Sequence, residues 1–419
     1  MNAHTILADA RQQTDKLFDL VRPDALYDRP IPERHRIVFY LGHLEAFDWN
    51  LLRPAMRGVE PFHPRFDRLF AFGIDPMDGG LPSDAPSDWP SVAGIRAYNQ
   101  RVRQSLDDAD HDSLLLYMAM EHRLMHAETL AYMLHRLPLD RKRPESQAPV
   151  PPSGPVRAQR IAIPGGCATL GLARNGAFGW DNEFDQHPIG VPAFTIDRYK
   201  VTNAEYLQFV DAGGYRDRAL WSDAAWQWKS DARITHPAFW KRVDGEWRYR
   251  AMFDEIPLPP DWPVYVSHAE AAAYAQWVGQ RLPTEAEWHR AAYGTPDGSE
   301  RRFPWGDDPP APAHGCFDFA RWDPAPVNAF PGARSAFGLD GLLANGWEWT
   351  ATPFAPFGGF GAHPGYPGYS ADFFDGKHYV LKGGSPRTAS CMLRRSFRNW
   401  FQPHYQYVYA GFRCANGVE

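Results

Sequence analysis

A proline-dense stretch divides this chain of 419 residues into two parts of different character. Residues 141–155 are rich in proline and show no hydrophobic periodicity, which is typical of a semi-extended linker. A loop within a single domain is the alternative, but the residue statistics change sharply across the stretch. We therefore predict a helical domain over residues 1–140, a linker over 141–159 and a second domain over 160–419.

The first part follows a helical pattern. Apolar residues recur at helical spacing over residues 8–21, 34–53, 92–106 and 112–137. Turns rich in proline and glycine, such as residues 75–80, separate these segments. Four helices are enough for an up-and-down bundle, and such bundles build metal sites in their cores from facing helices. The prediction for this part is a four-helix bundle.

Two histidines lie one helical turn apart on the last of these segments. His122 and His126 are four residues apart and project from one helix face, which lets a helix give a metal two ligands. The best third ligand is His43, on the second helical segment. Three neutral imidazoles leave coordination positions open, an arrangement that suits Fe(II) and that Zn(II) would also accept. Alternatively, these residues are core or surface histidines of a helical bundle.

The second part has many turns and few regular elements. The pattern predicts helices only over residues 202–212 and over 268–279 with its continuation 284–293. Thr284 and Glu287 have the spacing of a capping box. Short apolar runs among many Trp, Gly and Pro residues indicate an irregular α+β domain held together by aromatic burial. The fold class predicted for the whole chain is a two-domain α+β protein.

Charge and cysteine content exclude several classes of protein. The net charge of -6 gives no basic surface, so nucleic acid is not an expected partner. No signal peptide and no apolar run of membrane-spanning length is present in the sequence, so no membrane association is expected. The four cysteines are far apart and form no CxxC motif, which fits a reducing cytoplasm: Cys167, Cys316, Cys391 and Cys414.

A series of short motifs in the second part occurs in a specific order. The motifs are Ile163-Pro164-Gly165-Gly166, Phe178-Gly179-Trp180-Asp181-Asn182-Glu183, Val201-Thr202-Asn203-Ala204-Glu205-Tyr206, Arg281-Leu282-Pro283-Thr284-Glu285-Ala286-Glu287-Trp288, Phe303-Pro304-Trp305-Gly306, Asn345-Gly346-Trp347-Glu348-Trp349-Thr350, Leu381-Lys382-Gly383-Gly384-Ser385 and Gly411-Phe412-Arg413-Cys414. This order resembles the formylglycine-generating-enzyme-like domain over residues 160–416. The resemblance implies a C-type-lectin-like core.

The two parts together resemble one family. A DinB-type helical domain with a histidine and then HxxxHxE, followed by such a domain, is similar to the ergothioneine synthases and their relatives, the selenoneine synthases. The resemblance implies that His43, His122 and His126 bind Fe(II). It also implies an enzyme that uses O2 to join sulfur or selenium to the imidazole C2 of hercynine, because open iron positions bring the reactants together.

The same resemblance implies roles for further residues. Glu128 matches the acidic residue of HxE and would orient a ligand imidazole, although an exposed helix glutamate is the alternative. Trp400 and Phe401 would hold the quaternary ammonium of hercynine on their ring faces, with Asn399 nearby for polar contacts.

Two tyrosines are candidates for catalysis and two glutamates are not. Tyr366 or Tyr369 would donate a proton or an electron during the reaction, since a tyrosine does so in the sulfur-transferring relatives. Glu45 and Glu121 are predicted to be solvated or capping charges.

The chain departs from the family pattern where the sulfur donor binds. Actinobacterial relatives hold γ-glutamylcysteine with an RxxR pair and an aspartate, but here the matching residues are Arg96, Asn99 and Phe401. Met125 also stands where the family often has glutamine. Each lost charge-assisted contact is worth roughly 1.5–3 kcal/mol. We therefore favour a selenosugar over cysteine or γ-glutamylcysteine as the donor, which makes selenoneine synthase the favoured relative.

Three other classes are weighed against this prediction. A formylglycine-generating enzyme would bind copper with a close pair of cysteines, but Cys391 and Cys414 are far apart in the chain. A lectin-like binding module would need no histidine-bearing helical domain and would bind no iron. A DinB-type thiol transferase could use the three histidines for Zn(II) but would leave the second domain unexplained.

Overall fold

The computed structural model describes residues 3–72, 81–109 and 111–417. The predicted turn at residues 75–80 lies outside these ranges. The chain forms two compact units, Met1–Ser146 and Gln147–Glu419, so the division falls inside the predicted linker. The first unit is helical and the second contains both helices and sheets, which confirms a two-unit α+β architecture.

The first unit contains four long helices at the predicted positions. They are α1 (Ala3–Leu20), α2 (Ile37–Leu52), α4 (Val92–Asp107) and α5 (Ser113–Arg136), with the shorter α3 (Pro64–Phe72) between α2 and α4. Helix α3 was not predicted, because nine residues give too short a periodic pattern. Its start at Pro64 is nevertheless typical of a first helical position. Helix α2 contacts α3, α4 and α5, while α1 packs on α5.

A network of buried charges joins these helices, which corrects one prediction. Glu45 of α2 is 1% exposed and pairs with Arg123 of α5 at 2.9 Å and with Arg103 of α4 at 2.6 Å. Glu121 is also buried. Neither glutamate is a solvated charge as predicted, because helical spacing alone cannot show which polar side chain has a charged partner across the bundle.

The second unit is built around small sheets. Its strands are β1 (Arg160–Ile163), β2 (Gly166–Leu170), β3 (His187–Val191), β4 (Phe194–Asp197), β5 (Trp240–Val243), β6 (Glu246–Arg250), β7 (Glu255–Pro257), β8 (Gly346–Pro353), β9 (Tyr379–Gly384), β10 (Asn399–Phe401), β11 (Ala410–Gly411) and β12 (Ala415–Gly417). They pair in the orders β1-β4-β12, β10-β9-β8-β11, β2-β3 and β5-β6-β7. In the longest strand, the first five residues of β8 are buried and therefore belong to the core.

The helices of this unit are α6 (Asn203–Asp211), α7 (Asp223–Asp231), α8 (His268–Trp277) and α9 (Glu285–Tyr293). The sequence analysis missed α7. The predicted capping box at Thr284 and Glu287 is confirmed, since each side chain accepts from the other's backbone N–H. Residues 147–154 hydrogen-bond to this unit, for example from Gln147 to Asp323. In the described part of the chain, no helix is both long and apolar enough to cross a bilayer.

Three of the sequence motifs meet in the core through Glu348. Its carboxylate accepts from the guanidinium of Arg413 at 2.7 Å and from the indole N–H of Trp288 at 2.9 Å. Lys200 completes the cluster at 3.0 Å. All four side chains are buried, so this charge is compensated by direct partners, as a buried charge requires. These contacts explain why the motifs carry charged residues in an aromatic core.

We expect the stability of this unit to fall in acid through Glu300. Burial alone would raise the pKa of Glu300, but His289, the Thr169 N–H and Arg395 hold it at about 2. A carboxyl with a lowered pKa stabilises the folded state above its unfolded value near 4.5 and loses this contribution as the pH falls to about 2. After allowing for partial solvent screening, Glu300→Gln should reduce the unfolding free energy by about 1–2 kcal/mol at pH 7.

Urea denaturation at pH 7 and pH 3 measures this effect. The difference between wild type and Glu300→Gln should shrink at the lower pH. A difference that stays constant between the two pH values would contradict the assigned ionisation of Glu300. The matched control is Glu246→Gln, an exposed glutamate of β6.

Candidate metal centre

The three predicted histidines meet between α2 and α5 of the first unit, where His43 and His122 are buried and His126 is partly buried. One ligand nitrogen from each of His43, His122 and His126 can be chosen so that all three lie within 4.8 Å of one another. The Nε2 atoms of His43 and His126 are 3.2 Å apart. Two nitrogens bound at right angles to an ion at ~2.1 Å would be about 3 Å apart. This spacing therefore matches two neighbouring positions on a single metal ion.

His43 is held by contacts on both its nitrogen and its ring. Its Nδ1 lies 2.6 Å from the carbonyl oxygen of Phe70 in α3, so that nitrogen donates and Nε2 carries the lone pair. The ring of Phe39, one turn earlier on α2, stacks at 4.8 Å. A histidine ligand is commonly oriented by a hydrogen bond from its other nitrogen.

A phenylalanine supports the second ligand. The ring of Phe47 stacks on His122 with centroids 3.4 Å apart and planes 10° from parallel. Phe47 is four residues after His43, so both side chains lie on the face of α2 that looks toward α5. The sequence analysis did not predict this contact, although the spacing of four residues was the available signal.

The three imidazoles are neutral at physiological pH. Burial lowers the pKa of His43 to about 4, even though its bond to Phe70 opposes the shift. Burial likewise lowers the pKa of His122 and of His126, and the neighbouring histidines and Arg123 add to the effect. Neutral imidazole is the form that binds a metal, so the protonation state fits a metal site.

The chemistry of the donor set fits a transition metal with open positions. Three imidazoles suit iron or zinc rather than calcium or magnesium, which prefer oxygen ligands. Among the described residues, these three side chains are the group of His, Cys, Asp or Glu that lies close enough together to share one metal ion.

The remaining predicted residues of α5 lie beside the ligands in sequence. Glu128 is buried rather than exposed, which excludes the alternative of a solvated helix glutamate. Met125 is partly buried and directly precedes His126. The roles predicted for these two residues stay predictions.

Arg96 and Asn99 line a groove on the surface of the first unit. The groove has a volume of about 460 Å³, and Asp15, Arg103 and Asp107 also contribute to it. None of the three histidines is among its described lining residues. The amide of Asn99 donates to the carbonyl oxygen of Leu41 at 2.8 Å, so this donor is already engaged.

Trp400 belongs to an aromatic cluster in the second unit. Its ring stacks on Phe354 with centroids 4.2 Å apart and contacts the edge of Tyr369 at 5.3 Å. Tyr369 in turn stacks on Trp180 at 4.0 Å. Trp400 is only partly buried. Trp400 and Tyr369 were candidate site residues from the sequence, whereas Phe354 and Trp180 were not.

The other two residues of β10 have different neighbours. Phe401 stacks on Tyr405 with centroids 5.1 Å apart, on the opposite side of the strand from Trp400. The side-chain oxygen of Asn399 accepts from the backbone N–H of Trp400 at 2.9 Å. Sequence proximity thus brings these three residues onto one strand without bringing Phe401 into the cluster of Trp400.

Both candidate tyrosines lie next to Trp180. Tyr366 contacts the Trp180 ring at 6.5 Å, and burial raises the pKa of Tyr366, so its hydroxyl is protonated at neutral pH. Tyr369 is more deeply buried and lies 5.7 Å from Tyr366. The described cysteines form no disulfide, and Cys391 is exposed while Cys414 is buried.

Comparison with known proteins agrees with this architecture. Residues 147–418 match the family described as Sulfatase-modifying factor enzyme 1-like domain. The structure of PvdO from Pseudomonas aeruginosa is similar with a TM-score of 0.42 and 20% identity, covering 62% of this chain and 94% of PvdO. The family match over residues 147–418 places the protein in the class of formylglycine-generating-enzyme-like proteins, which confirms the predicted domain type.

Relatives that span both units define the family more closely. The hercynine oxygenase of Mycolicibacterium thermoresistibile is 36% identical, covering 99% of this chain and 94% of the relative. Ergothioneine biosynthesis protein 1 of Schizosaccharomyces pombe is 28% identical over 94% of this chain and 53% of that protein. The chain belongs to the hercynine oxygenase family.

Proposed function

We propose that this protein is a non-haem Fe(II), O2-dependent enzyme that forms a bond between a chalcogen atom and the imidazole C2 of hercynine. The observation that carries the proposal is the meeting of three neutral histidines within 4.8 Å, in a chain whose full-length relatives include hercynine oxygenases. The proposal includes a DinB-type first unit and a cytoplasmic location.

His43, His122 and His126 would hold the iron. Bound Fe(II) supplies O2 activation and brings the reactants together. The residues of this chain supply geometry and protonation. Phe70 fixes which nitrogen of His43 is free, Phe47 fixes the plane of His122, and burial keeps all three rings neutral. Glu128 is proposed to orient a ligand imidazole, and Tyr366 or Tyr369 to deliver a proton.

The aromatic cluster around Trp400 is the proposed contact for the trimethylammonium group of hercynine. A quaternary ammonium donates no hydrogen bond and is attracted to the face of an aromatic ring. Trp400 is held by Phe354 and Tyr369 and so presents a fixed surface. Asn399 would supply a polar contact beside it. Met125 is proposed to contact the substrate through its thioether side chain.

We expect Trp400→Ala to weaken hercynine binding by about tenfold, because a cation–π contact contributes roughly 0.5–2 kcal/mol. Calorimetric titration of the metal-loaded protein with hercynine and with histidine measures the two affinities. Histidine lacks the quaternary ammonium, so its affinity should change less. Trp247→Ala in β6 is the matched control. Equal loss for both ligands would contradict a specific role for the Trp400 ring.

The proposed donor is a selenosugar. A donor with two carboxylates needs several cationic partners, but position 99 provides an amide that is engaged with Leu41, and Arg96 is exposed. Phe401 occupies the place of the family's aspartate and stacks on Tyr405. A selenosugar needs hydrogen bonds rather than ion pairs. Such a donor therefore makes smaller demands on charged partners.

A sulfur donor is the second candidate, and it is favoured by the resemblance to ergothioneine biosynthesis proteins. To separate the two, Fe(II)-loaded protein is incubated without oxygen with hercynine and either a selenosugar, cysteine or γ-glutamylcysteine. Air is then admitted and the products are identified by mass spectrometry. A selenium-containing product formed fastest supports the proposal, whereas preference for a thiol assigns the sulfur-transferring activity.

The same experiment separates an enzyme from a binding module. A protein that binds no iron and forms no product with any donor would be a non-catalytic lectin-like module. Loading with Zn(II) instead of Fe(II) provides the negative control, because zinc has no redox chemistry.

A further inference from the structure

The bond between α3 and His43 depends on an unusually close approach of two helices. The carbonyl oxygen of Phe70 can only accept a hydrogen bond, so the Nδ1 of His43 at 2.6 Å must carry the proton. The neutral ring has one proton to share between its nitrogens. The Nε2 atom is therefore left with its lone pair, and this is the nitrogen that lies 3.2 Å from Nε2 of His126.

Gly42 is the residue that permits this approach. A Cβ atom added at Gly42 would lie 2.5 Å from two ring carbons of Phe70 and 2.6 Å from a third. Real Cβ atoms do not come this close to their neighbours, and the Phe70 side chain is fully buried with little room to move. The backbone of Gly42 has an ordinary helical conformation, so the requirement for glycine at this position comes from packing.

We infer that Gly42 and Phe70 are positioning residues of the metal centre: the missing side chain at 42 lets α3 place its Phe70 carbonyl on Nδ1 of His43 and direct Nε2 toward the other ligands. The inference rests on the proposed role of the three histidines. Glycine in a helix interior makes a helix less stable than alanine does. Glycine at position 42 therefore allows the geometry of the site, although alanine would make α2 more stable.

Alanine at position 42 should push Phe70 away and break its bond to His43. Loss of a partner that orients a metal ligand typically weakens metal binding by 10- to 100-fold. We expect Gly42→Ala to bind Zn(II) at least tenfold more weakly than wild type while its helical circular dichroism is retained. The matched control is Gly94→Ala in α4, where an added Cβ would meet only the Ser91 hydroxyl at 3.3 Å.

A second variant tests the mechanism by compensation. Leucine at position 70 is shorter than phenylalanine and can turn away from position 42. The double variant Gly42→Ala/Phe70→Leu should therefore regain most of the Zn(II) affinity that Gly42→Ala loses. General damage to packing would make the double variant bind more weakly than Gly42→Ala, and that result would overturn the inference.

A direct readout measures the tautomer of His43 in the unsubstituted protein. In the full-length protein labelled with ¹⁵N-histidine and freed of metal, His43 should show a protonated Nδ1, with its signal identified by its absence in His43→Gln. A proton on Nε2 would overturn the inference. Equal Zn(II) affinity of wild type and a folded Gly42→Ala would overturn it while leaving the metal site intact. Failure of wild type to bind either Zn(II) or Fe(II) would instead overturn the proposed function.

Discussion

Replacing His126 with alanine is expected to abolish retention of iron while the protein stays folded. His126 is one of the three proposed ligands, and its Nε2 lies 3.2 Å from that of His43. Structural sites with four ligands bind Zn(II) with a free energy of about 10–16 kcal/mol, which is several kcal/mol per ligand. Loss of one ligand should therefore weaken metal binding on the order of 100-fold or more.

Metal content after gel filtration and a titration with Fe(II) under anaerobic conditions measure this loss. The control is His111→Ala, which removes an imidazole near the start of α5 whose Nε2 contacts the carbonyl oxygen of Leu106. This variant should retain iron and activity. Unchanged iron content in His126→Ala would remove His126 from the ligand set and with it the proposed centre.

Arg123→Met is expected to destabilise the first unit by about 3–5 kcal/mol, because it leaves buried carboxylates without their partner. The guanidinium of Arg123 lies 2.6 Å from Asp48 and 2.9 Å from Glu45, and these three side chains are at most 1% exposed. It also donates to Leu44 of α2 and Thr14 of α1. Arg123 thus joins α5 to both neighbouring helices beside His122.

Thermal unfolding followed by circular dichroism measures this effect. For a unit of this size, each kcal/mol corresponds to about 2–4 °C, so the unfolding temperature should fall by roughly 10 °C. Arg141→Met is the control, since Arg141 is partly exposed where it pairs with Asp24 and Asp28 and its loss should change stability little. An Arg123→Met variant as stable as wild type would show that this network does not hold the helices together.

The sequence was sufficient to find the three histidines that meet in the candidate metal centre. A spacing of four residues places His122 and His126 on one helix face, and the second helical segment carries His43. The long helices were found for the same reason, because their apolar residues repeat over many turns. The ordered motifs of the second part predicted its domain type, and the apolar pattern located three of its four described helices.

The sequence was not sufficient to find the partners of these residues. Phe70 acts through its carbonyl oxygen, an atom that every residue has, and it lies on a helix too short to be recognised. Glu45 and Glu121 were predicted to be solvated because a charged residue has no visible partner in a one-dimensional pattern. Phe354 and Trp180 join Trp400 from distant parts of the chain, among many other aromatic residues.

Local order was determined by the sequence alone: the repeat of apolar residues, the capping box at Thr284, the pair of histidines on α5 and the order of the motifs all follow from residues close in the chain. Only the tertiary structure decided which distant groups meet. The contacts of Phe70 with His43, Arg123 with Glu45, and Phe354 with Trp400 join separate elements. Such contacts depend on how helices and strands pack to bury apolar surface and satisfy buried charge, and no local pattern encodes that outcome.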